Sequence, residues 1–237
     1  MAYLCVHIGT DKPPAHPIQM ESKAPAKAAK AVAPKTNYTK KYLSFYNALS
    51  AVLWADVLFR LMVLLPLAGF KYVSEGVAPL LIGVQSMALL EVVHVALGFV
   101  RSSPITVLMQ VASRLFLVWG VLKPFPTSAA TPVFSAMVFA WCITELVRYP
   151  YYWSQLRGYT PKWLEFLRYN LFFVLYPIGA SSEVYLTYRA LPLANYYHPF
   201  LALIMKIVMI IYPPAFYVLF THMIRMRSKA VSSRKKQ

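Results

Sequence analysis

The chain has 237 residues, 59% of them hydrophobic and only 14% charged, with 24 Lys and Arg against 8 Asp and Glu. Charged residues normally make up about a quarter of a globular chain, so this shortfall excludes an ordinary water-soluble domain and points to lipid as the solvent. The net charge of +16 is gathered at the ends, seven Lys before residue 42 and six Lys and Arg after residue 224, so no basic face is left for nucleic acid.

Residues 1–44 are rich in Ala, Lys and Pro, Lys23 to Lys35 reading KAPAKAAKAVAPK, and are expected to form a flexible basic arm, since they carry too little apolar surface to offset ordering entropy. From residue 45 to 224, six apolar stretches recur, at about 46–67, 76–99, 104–122, 130–148, 169–189 and 200–223. Each is close to the roughly 20 residues that cross a bilayer. Residues 225–237 form a second basic tail. The links between stretches are Lys71 to Glu75, Arg101 to Ser103, Lys123 to Thr127, Tyr149 to Arg168 and Ala190 to Pro199. Links this short imply an up-and-down arrangement. The predicted fold is therefore all-α, a six-transmembrane-helix bundle. An even number of spans puts both termini on one side, and the excess of Lys and Arg there and near Arg101, Arg148, Arg157, Lys162 and Arg168 makes that side cytosolic. The sequon Asn37-Tyr38-Thr39 then lies on the wrong side for glycosylation.

Cys5 and Cys142 cannot make a disulfide framework, and the five histidines are too scattered for a metal site. Glu91 and His94 have the Glu-x-x-His spacing of di-iron bundles, but the second copy and the further glutamates that such a site needs are missing. Cys142 and Arg148 have the Cys-x5-Arg spacing of a tyrosine-phosphatase loop. The five residues between them hold no glycine, include Glu145 and read as helix, so the match is taken as accidental. A charge within hydrocarbon costs about 2.5 to 3.5 kcal/mol on insertion scales, so each needs a partner or a task. Asp56 and Arg60, four apart, are expected to pair. Glu91 with His94, Gln110 with Arg114, and Glu145 with Arg148 each share a helix face.

The fifth stretch differs from the rest. Tyr169 to Leu191 reads YNLFFVLYPIGASSEVYLTYRAL, an aromatic and aliphatic helix interrupted by Pro177, Gly179, Ser181, Ser182 and Glu183. Pro177 cannot donate to the carbonyl of Phe173, so a kink is expected beside Tyr176. Tyr176 and Glu183 stand two turns apart, about 10.5 Å along the axis and about 20° in rotation, and so share a face across the small residues between them. A phenol and a carboxyl on one wall suit proton-transfer chemistry.

These residues carry a resemblance. Leu90-Glu91-Val92-Val93-His94 with Gly98-Phe99-Val100-Arg101-Ser102, Gln110-Val111-Ala112-Ser113-Arg114, Thr144-Glu145-Leu146-Val147-Arg148-Tyr149, Leu167-Arg168-Tyr169-Asn170, and Leu175-Tyr176-Pro177-Ile178-Gly179 followed by Ser182-Glu183 resemble the 3-hydroxyacyl-CoA dehydratases of very-long-chain fatty acid elongation, a family once labelled protein-tyrosine-phosphatase-like. The resemblance covers about residues 45 to 224. It implies a multi-pass protein of the endoplasmic reticulum membrane, a hydro-lyase that converts (3R)-3-hydroxyacyl-CoA to trans-2-enoyl-CoA in the third step of the elongation cycle. It further implies Tyr176 and Glu183 as the catalytic pair, no cofactor and no metal. Implied partners are the long-chain acyl-CoA, membrane lipid and the other enzymes of the cycle: condensing enzyme, ketoacyl reductase and enoyl reductase.

Basic side chains at the cytosolic face, Arg101, Arg148 and Arg168 among them, are candidates for the CoA phosphates, and Gln110 and Arg114 for the thioester carbonyl or for pairing with Glu91 or Glu145. Which of Tyr176 and Glu183 takes the α-proton is left open by the sequence. Arg234-Lys235-Lys236-Gln237 resembles a displaced dilysine retrieval signal. The alternatives are a non-catalytic membrane scaffold of the elongase complex, against which the intact Tyr176 and Glu183 speak, and a small transporter, for which internal repeats are lacking.

Overall fold

A computed structural model describes residues 37–234, with side chains to residue 228. The region before residue 37, including Cys5, and the terminal Lys235-Lys236-Gln237 lie outside the described residues. Every element within them is helical: α1 (Asn37–Met87), α2 (Leu89–Ala96), α3 (Pro104–Leu115) continued by a π-helical stretch (Phe116–Leu122), a short 3-10 turn (Pro126–Ala129), α4 (Pro132–Leu156), α5 (Lys162–Asn170), α6 (Phe172–Tyr197) and α7 (Pro199–Arg234).

A straight helix of the 51 residues in α1 would extend about 75 Å. Instead the hydroxyl of Tyr46 reaches the carbonyl of Met87 at 3.2 Å. The chain therefore folds back on itself, and the reversal sits at Gly69, whose φ of 71° is open to glycine and strained for other residues. This corrects the expected link at Lys71 to Glu75, which is helical. The two arms meet closely at Gly76, where an added Cβ would run into a methyl of Leu64. The long connection expected from Tyr149 to Arg168 is likewise mostly helix, filled by the end of α4 and by α5. Helix α6 runs on through Pro177 and Pro192, and α7 through Pro213 and Pro214.

Helix α4 is central, packed along α1 on one side and α6 on the other, with α7 beyond α6. Its start is defined locally: Thr131 accepts a hydrogen bond from the Val133 amide, and Pro132 occupies the first turn, where a missing N–H costs nothing. The core between α1 and α4 contains Trp54, Val57, Leu61, Val73, Val77, Phe134, Met137 and Trp141, all essentially sealed from the outside. Conversely, Phe59, Leu67, Ile105, Phe200, Ile210 and Val218 point outward. An apolar exterior on this scale suits lipid rather than water.

Three helical stretches among the described residues are long and apolar enough to cross a membrane: Asn37–Ala96, Pro104–Leu122 and Pro199–Ser228. Helices α4 and α6 fall outside that set because they carry polar side chains of the interior, Glu145 and Arg148 on one and Ser182 and Glu183 on the other.

Candidate active site

Tyr176 and Glu183 both face inward from α6, each 7% exposed, and line a single cavity of about 90 Å³. Gly179 and Ala180, one turn between them, form the intervening wall and leave the space open. Helix α7 closes the opposite side with Tyr212, Ala215, Phe216 and Leu219, and α3 contributes Met109, Gln110, Ser113 and Arg114. Gln85 of α1, Glu91 of α2 and Arg148 of α4 complete the lining.

Glu183 is held through both of its carboxylate oxygens. The indole N–H of Trp141, on α4, donates to its Oε1 at 3.0 Å. The phenol of Tyr212, on α7, donates to its Oε2. Each oxygen thus has one hydrogen-bond partner, which fixes the orientation of the carboxyl group. Trp141 is fully buried and is itself covered by the guanidinium of Arg114, 4.6 Å from the ring.

Tyr176 is held differently. Its ring stacks on Phe216 at 4.7 Å with 9° between planes, and next on Phe220 at 6.1 Å. Its hydroxyl makes no hydrogen bond among the described residues and opens on the cavity. The aromatic stack fixes the ring while leaving the O–H available for chemistry.

Beside this wall lies a chain of buried ion pairs. Arg114 Nη1 donates to Glu145 Oε1 at 2.5 Å, Glu145 Oε2 accepts from Arg148 Nε, and Arg148 in turn grips Glu91 with two bonds of 2.6 and 2.7 Å. Tyr149 adds a donor to Glu91 at 2.6 Å. Two cations and two anions alternate, so the network is neutral overall and ties α2, α3 and α4 together. Of the alternatives open for Arg114, pairing with Glu145 is what the structure holds. Glu145 and Arg148 do pair within α4, whereas Glu91 and His94 part company, Glu91 turning to Arg148 and His94 to the hydroxyl of Tyr42 at 2.9 Å. Asp56 and Arg60 pair as expected, at 3.4 Å.

Of the residues singled out in the sequence, the structure therefore gathers Tyr176, Glu183, Gln110, Arg114 and Arg148 around one cavity. It does not bring Arg101 or Arg168 there. Arg101 sits in the exposed connection before α3, and Arg168 is buried against the hydroxyl of Tyr152 at 3.3 Å beside a separate small pocket with Thr144 and Phe172. Sequence reasoning missed Trp141, Tyr212 and Gln85. A signal existed for two of them. Tyr212-Pro213 repeats on α7 the Tyr176-Pro177 pair of α6, and Trp141, within an apolar run, has an N–H that needs an acceptor once buried.

Cys142 and Arg148 both lie on the continuous helix α4, so their intervening amides are spent on the helix ladder and cannot wrap a phosphate.

An apolar helical bundle that closes over a phenol, a doubly held carboxylate and carboxamides has the features of a membrane-embedded acid–base enzyme. The comparisons with known proteins agree with that class. Residues 85–233 match the family described as protein tyrosine phosphatase-like protein, PTPLA. The chain is 42% identical over 191 residues to the "probable very-long-chain (3R)-3-hydroxyacyl-CoA dehydratase" of Schizosaccharomyces pombe, covering 80% of this chain and 92% of that one. It is 42% identical over 152 residues to the dehydratase PASTICCINO 2B of Oryza sativa, covering 64% and 69%. It is 34% identical over 209 residues to very-long-chain (3R)-3-hydroxyacyl-CoA dehydratase 2 of Mus musculus, covering 81% of each. No solved structure matches. The chain belongs to the protein tyrosine phosphatase-like family.

Proposed function

We propose that this protein removes water from very-long-chain (3R)-3-hydroxyacyl-CoA to give the trans-2-enoyl-CoA, with Tyr176 and Glu183 as the acid–base pair. The observation that carries the reading is the shared cavity: the two side chains face one space from two turns of α6, in a chain whose relatives bear dehydratase names.

The chemistry divides between them according to their partners. Glu183, with a donor on each oxygen, is the base that takes the proton from C2. Tyr176, whose O–H is uncommitted, protonates the hydroxyl on C3 as the C3–O bond breaks. The C2–H electron pair becomes the second bond between C2 and C3, and water leaves. The proton on Glu183 then returns to the Tyr176 phenolate through the cavity, so the protein ends unchanged. Charge that builds on the thioester oxygen during this step requires a donor. Gln110, whose Nε2 is buried without a hydrogen-bond partner among the described residues, is placed on the cavity wall to supply it.

In this reading the six bilayer crossings are the two arms of α1, the second extended by α2, then α3 with its π-helical end, α4, α6 and α7. Both termini are cytosolic, the membrane is that of the endoplasmic reticulum, and the product passes to the other enzymes of the elongation cycle. The basic arm (1–44), whose residues 37–44 are the first turns of α1 and not a flexible segment, and the tail (225–237), which continues α7 to Arg234, flank a dehydratase domain of residues 45–224. Arg101 and Arg168, away from the cavity, serve the CoA phosphates at the cytosolic face. The test is direct: detergent-purified protein incubated with a long-chain (3R)-3-hydroxyacyl-CoA yields the enoyl product, and Tyr176→Phe yields almost none while eluting as the wild type does. Full turnover in the variant removes the assignment.

A further inference from the structure

Gln85 lies on the second arm of α1, 1% exposed and among the largest side chains sealed inside the protein. Its Oε1 is buried and accepts no hydrogen bond among the described residues. The same side chain lines the cavity that Tyr176 and Glu183 share. A leucine or methionine would fill such a position without cost, whereas a buried carbonyl oxygen left unpaired costs about 1 to 3 kcal/mol. A buried polar atom without a protein partner therefore needs an explanation, and an acceptor on a side chain that lines a reaction cavity has a natural one in a donor carried by the substrate.

The chemistry on the page identifies that donor. The proposed substrate brings two polar groups to the reacting carbons: a thioester carbonyl, which only accepts, and a 3-hydroxyl, which donates as well. The cavity offers a free donor on Gln110 and a free acceptor on Gln85, from different helices. Among the described cavity-lining side chains, Gln85 Oε1 is the buried acceptor that receives no protein donor, and the Tyr176 hydroxyl is reserved for delivering the proton. Both oxygens of Glu183 already receive donors, and those of Glu91 are engaged by Arg148 and Tyr149. We propose that Gln85 is a substrate-binding residue that accepts a hydrogen bond from the 3-hydroxyl and so selects hydroxylated over saturated acyl chains. The proposal rests on the dehydratase reading and adds to it the group that reads the leaving hydroxyl. Holding that oxygen also orients it toward the Tyr176 proton.

The experiment compares (3R)-3-hydroxystearoyl-CoA as substrate with stearoyl-CoA, which lacks the hydroxyl, as competitive inhibitor, on the full-length protein in detergent. Wild type is assayed first, and if it forms no enoyl product the dehydratase reading itself fails, independently of Gln85. With wild type active, Gln85→Leu is expected to raise the KM for the hydroxyacyl substrate about tenfold, the loss of one hydrogen bond, and to leave the Ki of stearoyl-CoA unchanged. An unchanged KM overturns the proposal. So does a parallel rise of KM and Ki, the mark of a residue that only shapes the cavity. Should Gln85→Leu fail to fold, Gln85→Asn draws the carboxamide back by one methylene and is read by the same two constants, with the same outcomes for and against.

Discussion

Two buried polar regions flank α4, and they are built on opposite plans. In the chain from Arg114 through Glu145 and Arg148 to Glu91, each charge meets an opposite charge at hydrogen-bonding distance. Around the cavity, Glu183 collects two neutral donors from α4 and α7, while the Tyr176 hydroxyl of α6 and the carboxamides of Gln85 on α1 and Gln110 on α3 keep polar atoms uncommitted. In an interior of low dielectric, a charge left alone is expensive and a closed network is mainly scaffolding. Uncommitted atoms on neutral side chains beside the cavity therefore mark where a substrate enters, and paired charges mark what holds the walls in place.

The largest effect expected from breaking this contrast is at Glu183. Glu183→Gln keeps the volume and one acceptor but loses the base, and turnover should fall by about 10²–10⁴-fold in a steady-state assay of the purified protein. Thermal unfolding in detergent should change little, because the substitution introduces no unpaired charge. Arg148→Met should show the reverse balance. It strips Glu91 of its counter-charge while Glu145 keeps Arg114, and leaving a buried carboxylate uncompensated costs about 3–5 kcal/mol, read as a drop in Tm. Adding only Glu91→Gln to Arg148→Met, which leaves Arg114 and Glu145 as a neutral pair, should recover much of that loss, whereas an active-site role for the network would leave the double variant stable and inactive.

A smaller effect sharpens the comparison from the other side. Tyr212→Phe removes one donor from Glu183 and leaves the cavity walls intact, so kcat should fall about tenfold with KM nearly constant. Equal losses in kcat and KM would assign Tyr212 to substrate contact instead of to the carboxylate.

How much of this was legible beforehand varied with the kind of residue. The Tyr176 and Glu183 pair could be placed on one face because helical geometry is local: seven residues bring a side chain almost back to its starting direction. The Asp56 and Arg60 pair was legible for the same reason. Partners on other helices were not. Nothing within α2 says that Glu91 will find Arg148, 57 residues on, in preference to His94 on its own face. Tyr212 and Trp141 reach Glu183 from sequence distances of 29 and 42 residues, which depend on how α4, α6 and α7 pack. The first reversal was also misplaced. Lys71 and Glu75 looked like a polar link, yet the backbone turns at Gly69, the one of the two flanking glycines that takes a positive φ, while Gly76 stays helical, because steric freedom decides a one-residue turn and polarity does not.

The smallest expected effect concerns the family's descriptive label. Cys142 and Arg148 have the spacing of a phosphatase nucleophile and its phosphate-binding arginine, and the rival expectation is that Cys142→Ser destroys activity. The structure removes each element of that chemistry in turn. Cys142 is fully buried in the core, away from the cavity lining, its helix amides are committed to α4, and Arg148 is engaged by two glutamates. A thiol acts as a nucleophile only when it is ionised and accessible, and a sealed apolar site opposes both. Cys142→Ser should accordingly leave dehydration of the hydroxyacyl substrate unchanged, and wild type should release no phosphate from a phosphotyrosine peptide. Loss of dehydration in this variant at an unaltered Tm would place Cys142 in the reaction and undo the separation drawn between α4 as support and α6 with α7 as the working wall.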